Sequence, residues 1–225
     1  MSDLDIDIWS DVMCPWCAIG YMQLASAIAA LAGEIEVTVR WMPFELNPDA
    51  PAEGRPQAAH LAQVYRRSEA EVAAMRATVE SAAERAGYPM AYTGPGDPPE
   101  AMMWNTFAAH KLLRWALAAA GPQAQTALKL ALFDAHFRRR LNVSDRAVLL
   151  DLAQGQGLDR AAAEAALDDD ALDVAVRMEE QRARENGINS VPTFVVNGRY
   201  ILQGSQEPDR FRQALLQIAS MEAAA

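Results

Sequence analysis

The sequence predicts an α/β protein in which a short layer of strands and helices is interrupted by an all-helical insertion. Three observations carry this. Two stretches of alternating apolar and polar residues flank a helix-spaced stretch within the first 41 residues. Residues 49–186 then become alanine-rich and helix-spaced, punctuated by proline- and glycine-rich breaks. Past Gly187 the apolar runs return around an Asn-Gly pair, and one more helical pattern follows.

Taken in order, Leu4-Asp5-Ile6-Asp7-Ile8-Trp9 alternates apolar and acidic residues, the pattern of a strand with one buried face. Tyr21, Leu24, Ala25, Ile28 and Leu31 recur at helical spacing, and Gly33 suits the end of that helix. Ile35, Val37, Val39 and Trp41 alternate with Glu34, Glu36, Thr38 and Arg40 as a second strand, which makes a parallel crossover the default connection. NPDAPAEGRP, from Asn47, is a loop by its proline, glycine and asparagine content. Ser68 and Glu71 have capping-box spacing before VAAMRATVESAAERAG, and TGPGDPPE breaks the texture between Thr93 and Glu100. Further helices are predicted over 101–120, 123–139, 145–154, 160–167 and 170–186. In VPTFVVNGRYIL two apolar runs surround Asn197-Gly198, the pair favoured in a two-residue type I′ hairpin, and Pro192 stands at a strand start, where proline is tolerated. Pro208 opens a last helix with Phe211, Leu215 and Ile218 on one face. The order β-α-β, helical insertion, β-β-α is a thioredoxin fold with an all-helical insert. Residues 1–48 and 187–225 form the thioredoxin-fold domain and 49–186 the helical insertion domain.

Composition narrows the function. Of 225 residues, 51% are hydrophobic, which is ample for a core, and the few aromatics leave alanine to supply much of that figure. A formal net charge of -10 argues against nucleic acid and anionic membrane surfaces, since both repel an acidic protein. MSDLDIDIW lacks the basic start and apolar run of a signal peptide, and no stretch is apolar enough to span a bilayer. The expected compartment is the cytoplasm, where catalytic disulfides are more usual than structural ones.

Both cysteines lie in SDVMCPWCAIGY, as Cys14-Pro15-Trp16-Cys17. A structural zinc site needs four ligands; the pair supplies half, and His60, His110 and His136 are scattered. A c-type haem needs histidine after the second cysteine, where Ala18 stands. A static staple across so short a loop stabilises little. A redox centre fits. Cys14 falls where the first strand ends and the helix begins, with Pro15 in the first turn, so unpaired N–H groups and the helix dipole favour a thiolate there. Cysteines in such motifs titrate at about 3.5–7.5, against about 8.5 when free. Cys14 is then the expected nucleophile and Cys17 the resolving thiol.

SDVMCPWCAIG, WMPFELNP, NTFAAHKL and GINSVPTFVVNGRYILQGSQ together resemble the DsbA-like branch of the thioredoxin superfamily. Within it the chain is most similar to the FrnE-type proteins, related to 2-hydroxychromene-2-carboxylate isomerases and kappa-class glutathione transferases. The resemblance runs nearly end to end and is most specific at 9–20, 41–48 and 187–206. It implies thiol-disulfide oxidoreductase activity of oxidant or isomerase type through Cys14 and Cys17. It also implies a cis peptide at Val191-Pro192, a loop that docks the thiol partner through Val191, Pro192 and Thr193, and a homodimer. Members often carry Tyr-Ile-Gly-Lys after the second cysteine, whereas this chain has Ala18-Ile19-Gly20-Tyr21, which removes a cation near the site.

The expected partners are disulfide- or thiol-containing proteins or small molecules. The dithiol carries the electrons, so no metal or organic cofactor is expected, and glutathione enters only as a co-substrate. Pro15 and Trp16 are expected at the substrate contact, together with His110, a helical histidine able to bind substrate or move protons near neutral pH. Trp9, Trp41 and Phe44 read as core before groove, and Asn105 shares that ambiguity. The basic run FRRRLN reads as a solvated helix end before an anion site. One rival is a glutathione-dependent isomerase or transferase, against which stand cysteine where those relatives carry serine and the few basic groups near the motif. Others are a non-enzymatic redox sensor and a helical insert that holds unfolded polypeptide.

Overall fold

The alternating N-terminal segment becomes β1 (Ser2–Ser10) in the computed structural model, which describes residues 2–51 and 53–224. Leu4, Ile6 and Ile8 turn into the core, while Asp5 and Asp7 reach across to Arg40 at 3.3 and 2.7 Å. Arg40 lies on β2 (Ile35–Pro43), parallel to β1 and reached through α1 (Pro15–Ala30). The expected β-α-β unit is therefore present. On the other side of β1 runs β5 (Thr193–Val196), antiparallel to it and to β6 (Tyr200–Gln203), giving the order β2-β1-β5-β6. Asn197 and Gly198 take positive φ of 50° and 65°, and the Arg199 N–H donates to the Val196 carbonyl at 3.0 Å. The ladder resumes with Tyr200 opposite Val196, so the loop is one residue longer than the two-residue hairpin expected.

Helix α1 packs with the C-terminal helix against Phe194, whose ring meets Phe211 edge-on at 5.0 Å. Between β2 and β5 the chain forms, in order, β3 (Arg55–Pro56), α2 (Gln57–Tyr65), α3 (Glu69–Arg85), β4 (Met102–Met103), α4 (Phe107–Phe133), α5 (Arg146–Gly155), α6 (Arg160–Leu167) and α7 (Asp170–Glu185); α8 (Pro208–Ala223) closes it. The Ser68–Glu71 capping box opens α3 as the spacing predicts. Helix α4 starts at Phe107 instead of 101, because Met102 and Met103 pair with Pro56 and Arg55 and the Asn105 side chain accepts the Phe107 N–H at 2.9 Å. It breaks at Gly121, whose φ of 83° and ψ of 179° are non-helical, just before Pro122, and this is the gap expected between two helices. Past Phe133 it widens into a π-helical turn, Asp134–Arg138.

The insertion joins the sheet through buried polar contacts. Gln125 Nε2 donates to the Trp41 carbonyl and its Oε1 accepts the Trp41 N–H, both at 2.8 Å. An amide side chain thus serves the unpaired edge of β2 as a neighbouring strand would. Among the described residues no helix is long and apolar enough to cross a membrane.

Candidate active site

The turn between β1 and α1 is built by Asp11. Its Oδ1 accepts the Met13 N–H at 3.3 Å, its Oδ2 accepts the Leu46 N–H at 2.8 Å, and its carbonyl accepts the Cys14 N–H at 3.2 Å. A short acidic side chain that bonds its own backbone two residues on is a standard turn former. Here it also ties the turn to the loop after β2. Cys14 becomes the N-cap of α1 with Pro15 in the first turn, and the Cys14 carbonyl accepts the Cys17 N–H at 3.1 Å. Both cysteines are thiols in this structure. Cys14 is 4% exposed and Cys17 is fully covered.

The last hairpin supplies the opposite wall. Cys14 Sγ lies 3.8 Å from the Val191 carbonyl oxygen, and the Val191-Pro192 peptide is cis, as the resemblance implies. The Pro192 carbonyl accepts the Gly204 N–H at 2.9 Å, which pins the loop. Gly20 of α1 faces it: a Cβ there would stand 3.2 Å from Pro192 Cγ and 3.3 Å from the Phe194 ring. Glycine thus lets the helix approach the loop to a distance at which a Cβ would be tighter than ordinary van der Waals contact.

Beneath the cysteines is a buried lysine. Lys129 of α4 is fully covered, with Nζ 3.4 Å from the Ser10 carbonyl oxygen and 5.1 and 4.9 Å from the Trp41 and Phe133 ring centres. Burial pulls its pKa down to about 8, against the opposing pull of Cys17, Asp11 and Cys14. Asp11 is held below the usual carboxylate range. Burial would raise it, but the His110 imidazole, the Leu46 N–H and the Lys129 ammonium outweigh that. Burial would also raise the Cys17 thiol, yet the hydrogen bond from Cys14, the Lys129 charge and the nearby Ser10 hydroxyl bring it below its ordinary value. Cys14 is pushed well up by the same hydrogen bond, by burial and by the negative charge of Cys17 and Asp11. The two thiols share one hydrogen bond and one buried cation, so the first ionisation belongs to the pair.

A cleft of about 300 Å³ opens beside Cys14, and Pro15 and Trp16 lie on its rim. Val191 and Pro192 face Cys14 from the opposite wall, whereas His110 and Thr193 are placed differently. His110 does not reach the cleft: it is 2% exposed, its Nε2 3.6 Å from Asp11 Oδ1. The substrate-contact expectation for His110 is therefore corrected to a buried support for Asp11. Thr193 is also fully covered, and its hydroxyl donates to the Ser190 carbonyl at 2.8 Å, so its side chain offers a partner nothing. Trp9, Trp41 and Phe44 are core. Asn105 donates to the Pro48 carbonyl at 3.2 Å and caps α4. Sequence reasoning missed Asp11, whose signal was its place three residues before Cys14. It also missed Lys129 and Arg76, and it read Arg140, within FRRRLN, as a solvated helix end before an anion site; all three reach the site only through tertiary packing. Among the described residues no group of three or more His, Cys, Asp and Glu side chains is placed to hold a metal ion.

The model of the DSBA-like thioredoxin domain matches residues 5–216. The chain is 31% identical to the probable DsbA oxidoreductase of Streptomyces coelicolor, whose crystal structure superposes with a TM-score of 0.83 over 97% of this chain and 91% of that one. It is 26% identical over 212 residues to the uncharacterized protein YwbO of Bacillus subtilis (strain 168), which covers 93% of this chain and 94% of that protein. The structure of a 2-hydroxychromene-2-carboxylate isomerase shares the fold, with a TM-score of 0.69 at 16% identity over 98% of each chain.

Proposed function

The chain belongs to the DSBA-like thioredoxin domain family, and from that membership we propose a thiol-disulfide oxidoreductase that cycles Cys14 and Cys17 between dithiol and disulfide. One observation carries the mechanism. Cys14 stands at the cleft rim beside the Val191 carbonyl, while Cys17, one turn on, is fully covered.

In the oxidised protein a substrate thiolate attacks Cys14 Sγ, the Cys14–Cys17 bond breaks, and Cys17 leaves as thiolate. A leaving thiol of lowered pKa departs faster. A second substrate thiolate then attacks the substrate sulfur of the mixed disulfide and releases Cys14. The substrate dithiol loses two electrons and two protons, and the protein dithiol gains them. In the reverse direction Cys14, as thiolate, attacks a substrate disulfide and the released substrate sulfur takes up a proton; Cys17 then attacks Cys14 Sγ and expels the remaining substrate sulfur as the protein disulfide closes. The Val191 carbonyl, facing Cys14, is positioned to accept a main-chain N–H from the bound partner.

The test is the equilibrium of the pair in glutathione redox buffers, read by mass after alkylation, with Cys14→Ser as control. Because the buried Lys129 charge favours a thiolate on the reduced pair, the expected potential lies on the oxidising side, about -120 to -180 mV. A value near about -270 mV would make the protein a reductase. A persistent glutathione adduct without an intramolecular disulfide would transfer the site to a glutathione-dependent isomerase or transferase. Oxidation without turnover of any disulfide substrate would leave a redox sensor.

A further inference from the structure

The cleft beside Cys14 has a composition that disulfide exchange alone does not require. Its outer wall comes from α2 and α3, which present Val64, Tyr65 and Met75 as exposed apolar side chains opposite Trp16 and Leu46. Two guanidiniums break this apolar lining, Arg76 of α3 and Arg140. Arg140 belongs to the basic run FRRRLN, read from sequence as a solvated helix end. Only part of that reading holds. Arg138 pairs with Asp134 at 3.1 Å and Arg139 is exposed, but the π-helical turn and a left-handed φ of 54° carry Arg140 into the cleft, half-buried. Its Nε is buried without a hydrogen-bond partner. Among the described residues neither Arg76 nor Arg140 has an ion-pair partner. The acid that shares the cleft is Glu80, which leaves a local excess of positive charge in a chain whose net charge is -10. His60 adds a second unpartnered polar atom: it lines the cleft at 8% exposure, and its Nδ1 has no hydrogen-bond partner.

We propose that this cleft binds a carboxylate-bearing, apolar, low-molecular-weight disulfide or thiol. Its carboxylate pairs with Arg76 and Arg140, its body lies on the α2–α3 wall, and its sulfur meets Cys14. The inference rests on the exchange reading above and names the substrate class for the same sulfur. A volume of about 300 Å³ suits a body the size of one aromatic ring, at the small end of ligand pockets. Two unpaired guanidiniums match a carboxylate in charge and fork geometry. With a symmetrical disulfide RSSR, Cys14 attacks one sulfur and releases RS⁻. Cys17 then attacks Cys14, releases the second RS⁻ and closes the protein disulfide. The substrate takes up two electrons, and the two thiol protons go to the released thiolates.

The test compares two aromatic disulfides on the reduced protein by stopped flow: 5,5′-dithiobis(2-nitrobenzoate), which carries carboxylates, and the uncharged 2,2′-dithiobis(5-nitropyridine). The readout is the ratio of their second-order rate constants in wild type, Arg140→Gln, Arg76→Gln and the exposed-charge control Arg139→Gln. The proposal expects the carboxylate-to-neutral ratio to fall about tenfold in each cleft variant, as loss of a charge-assisted hydrogen bond does, and to hold within about twofold in Arg139→Gln. Glu80→Gln, which removes the opposing charge without touching either arginine, is expected to raise the ratio. Equal ratios in wild type and the cleft variants overturn the substrate class while leaving exchange at Cys14 standing. An equal fall in Arg139→Gln shows only long-range charge and overturns it too. No reaction with either disulfide overturns the exchange reading, and the proposal with it.

Discussion

Lys129 places its ammonium 3.4 Å from the carbonyl oxygen of Ser10, fully covered, below the turn that carries the cysteines. No carboxylate hydrogen-bonds it among the described residues, and aromatic faces flank it. A lysine so buried costs stability at neutral pH. Its folded pKa of about 8 lies below the ordinary value of 10.5, so the unfolded chain binds its proton more tightly. What the charge supports is the neighbouring thiolate. Lys129→Met is expected to raise the first thiol ionisation by about one unit or more, read from thiolate absorbance against pH. The same variant is expected to be more stable by about 2 kcal/mol in urea unfolding, since a buried charge is replaced by an apolar side chain. An unchanged thiol titration would sink the role assigned to this lysine.

Gly20 sets how closely α1 meets the Pro192 loop. A Cβ there would stand 3.2 Å from the Pro192 ring and 3.4 Å from the Ser205 backbone, so the loop must shift by a few tenths of an ångström to admit it. Gly20→Ala is expected to push the loop away from Cys14, lower the exchange rate about tenfold, and cost about 1–3 kcal/mol. An exchange rate equal to wild type would show that the loop's distance from Cys14 does not matter.

Gln125 makes both hydrogen bonds of the Trp41 main chain from inside the core. Gln125→Leu keeps most of the volume but strands a buried N–H and a buried carbonyl. The expected loss is about 2–4 kcal/mol in chemical denaturation. A loss below about 0.5 kcal/mol would mean that the edge of β2 finds other partners.

His136 responds to acid. It is buried in the π-helical turn, and burial first, then the Arg140 charge, pulls its pKa from 6.5 to about 4 against a weaker opposing effect of Asp11. The unfolded chain therefore takes up this proton before the fold does. The stability it contributes is complete above pH 6.5 and is lost as pH falls towards about 4, by about 3 kcal/mol in all. His136→Phe is expected to flatten that part of the urea-midpoint profile. A wild-type slope that survives the substitution would assign the acid sensitivity elsewhere.

The sequence alone determined the order of the four sheet strands, the helices around them and the place of the chemistry. Period-two and helical patterns are local, and so are the signals of Pro15, Asn197-Gly198 and the Ser68–Glu71 cap; each names its element without any distant partner. The Cys14–Cys17 spacing is local in the same sense. What only the tertiary structure decided is which side chains surround that pair. Lys129 follows Cys17 by more than a hundred positions and reaches it because α4 lies along β2. Arg140 enters the cleft because a π-helical turn and a left-handed residue redirect a basic run that otherwise points to water. His110 lies inside the core, 3.6 Å from Asp11, where helical periodicity alone did not place it. Chain pattern sets which face of an element is buried. Where a long charged side chain ends depends on the packing of elements far apart in sequence, and here that packing put the Lys129 charge beneath the cysteine pair.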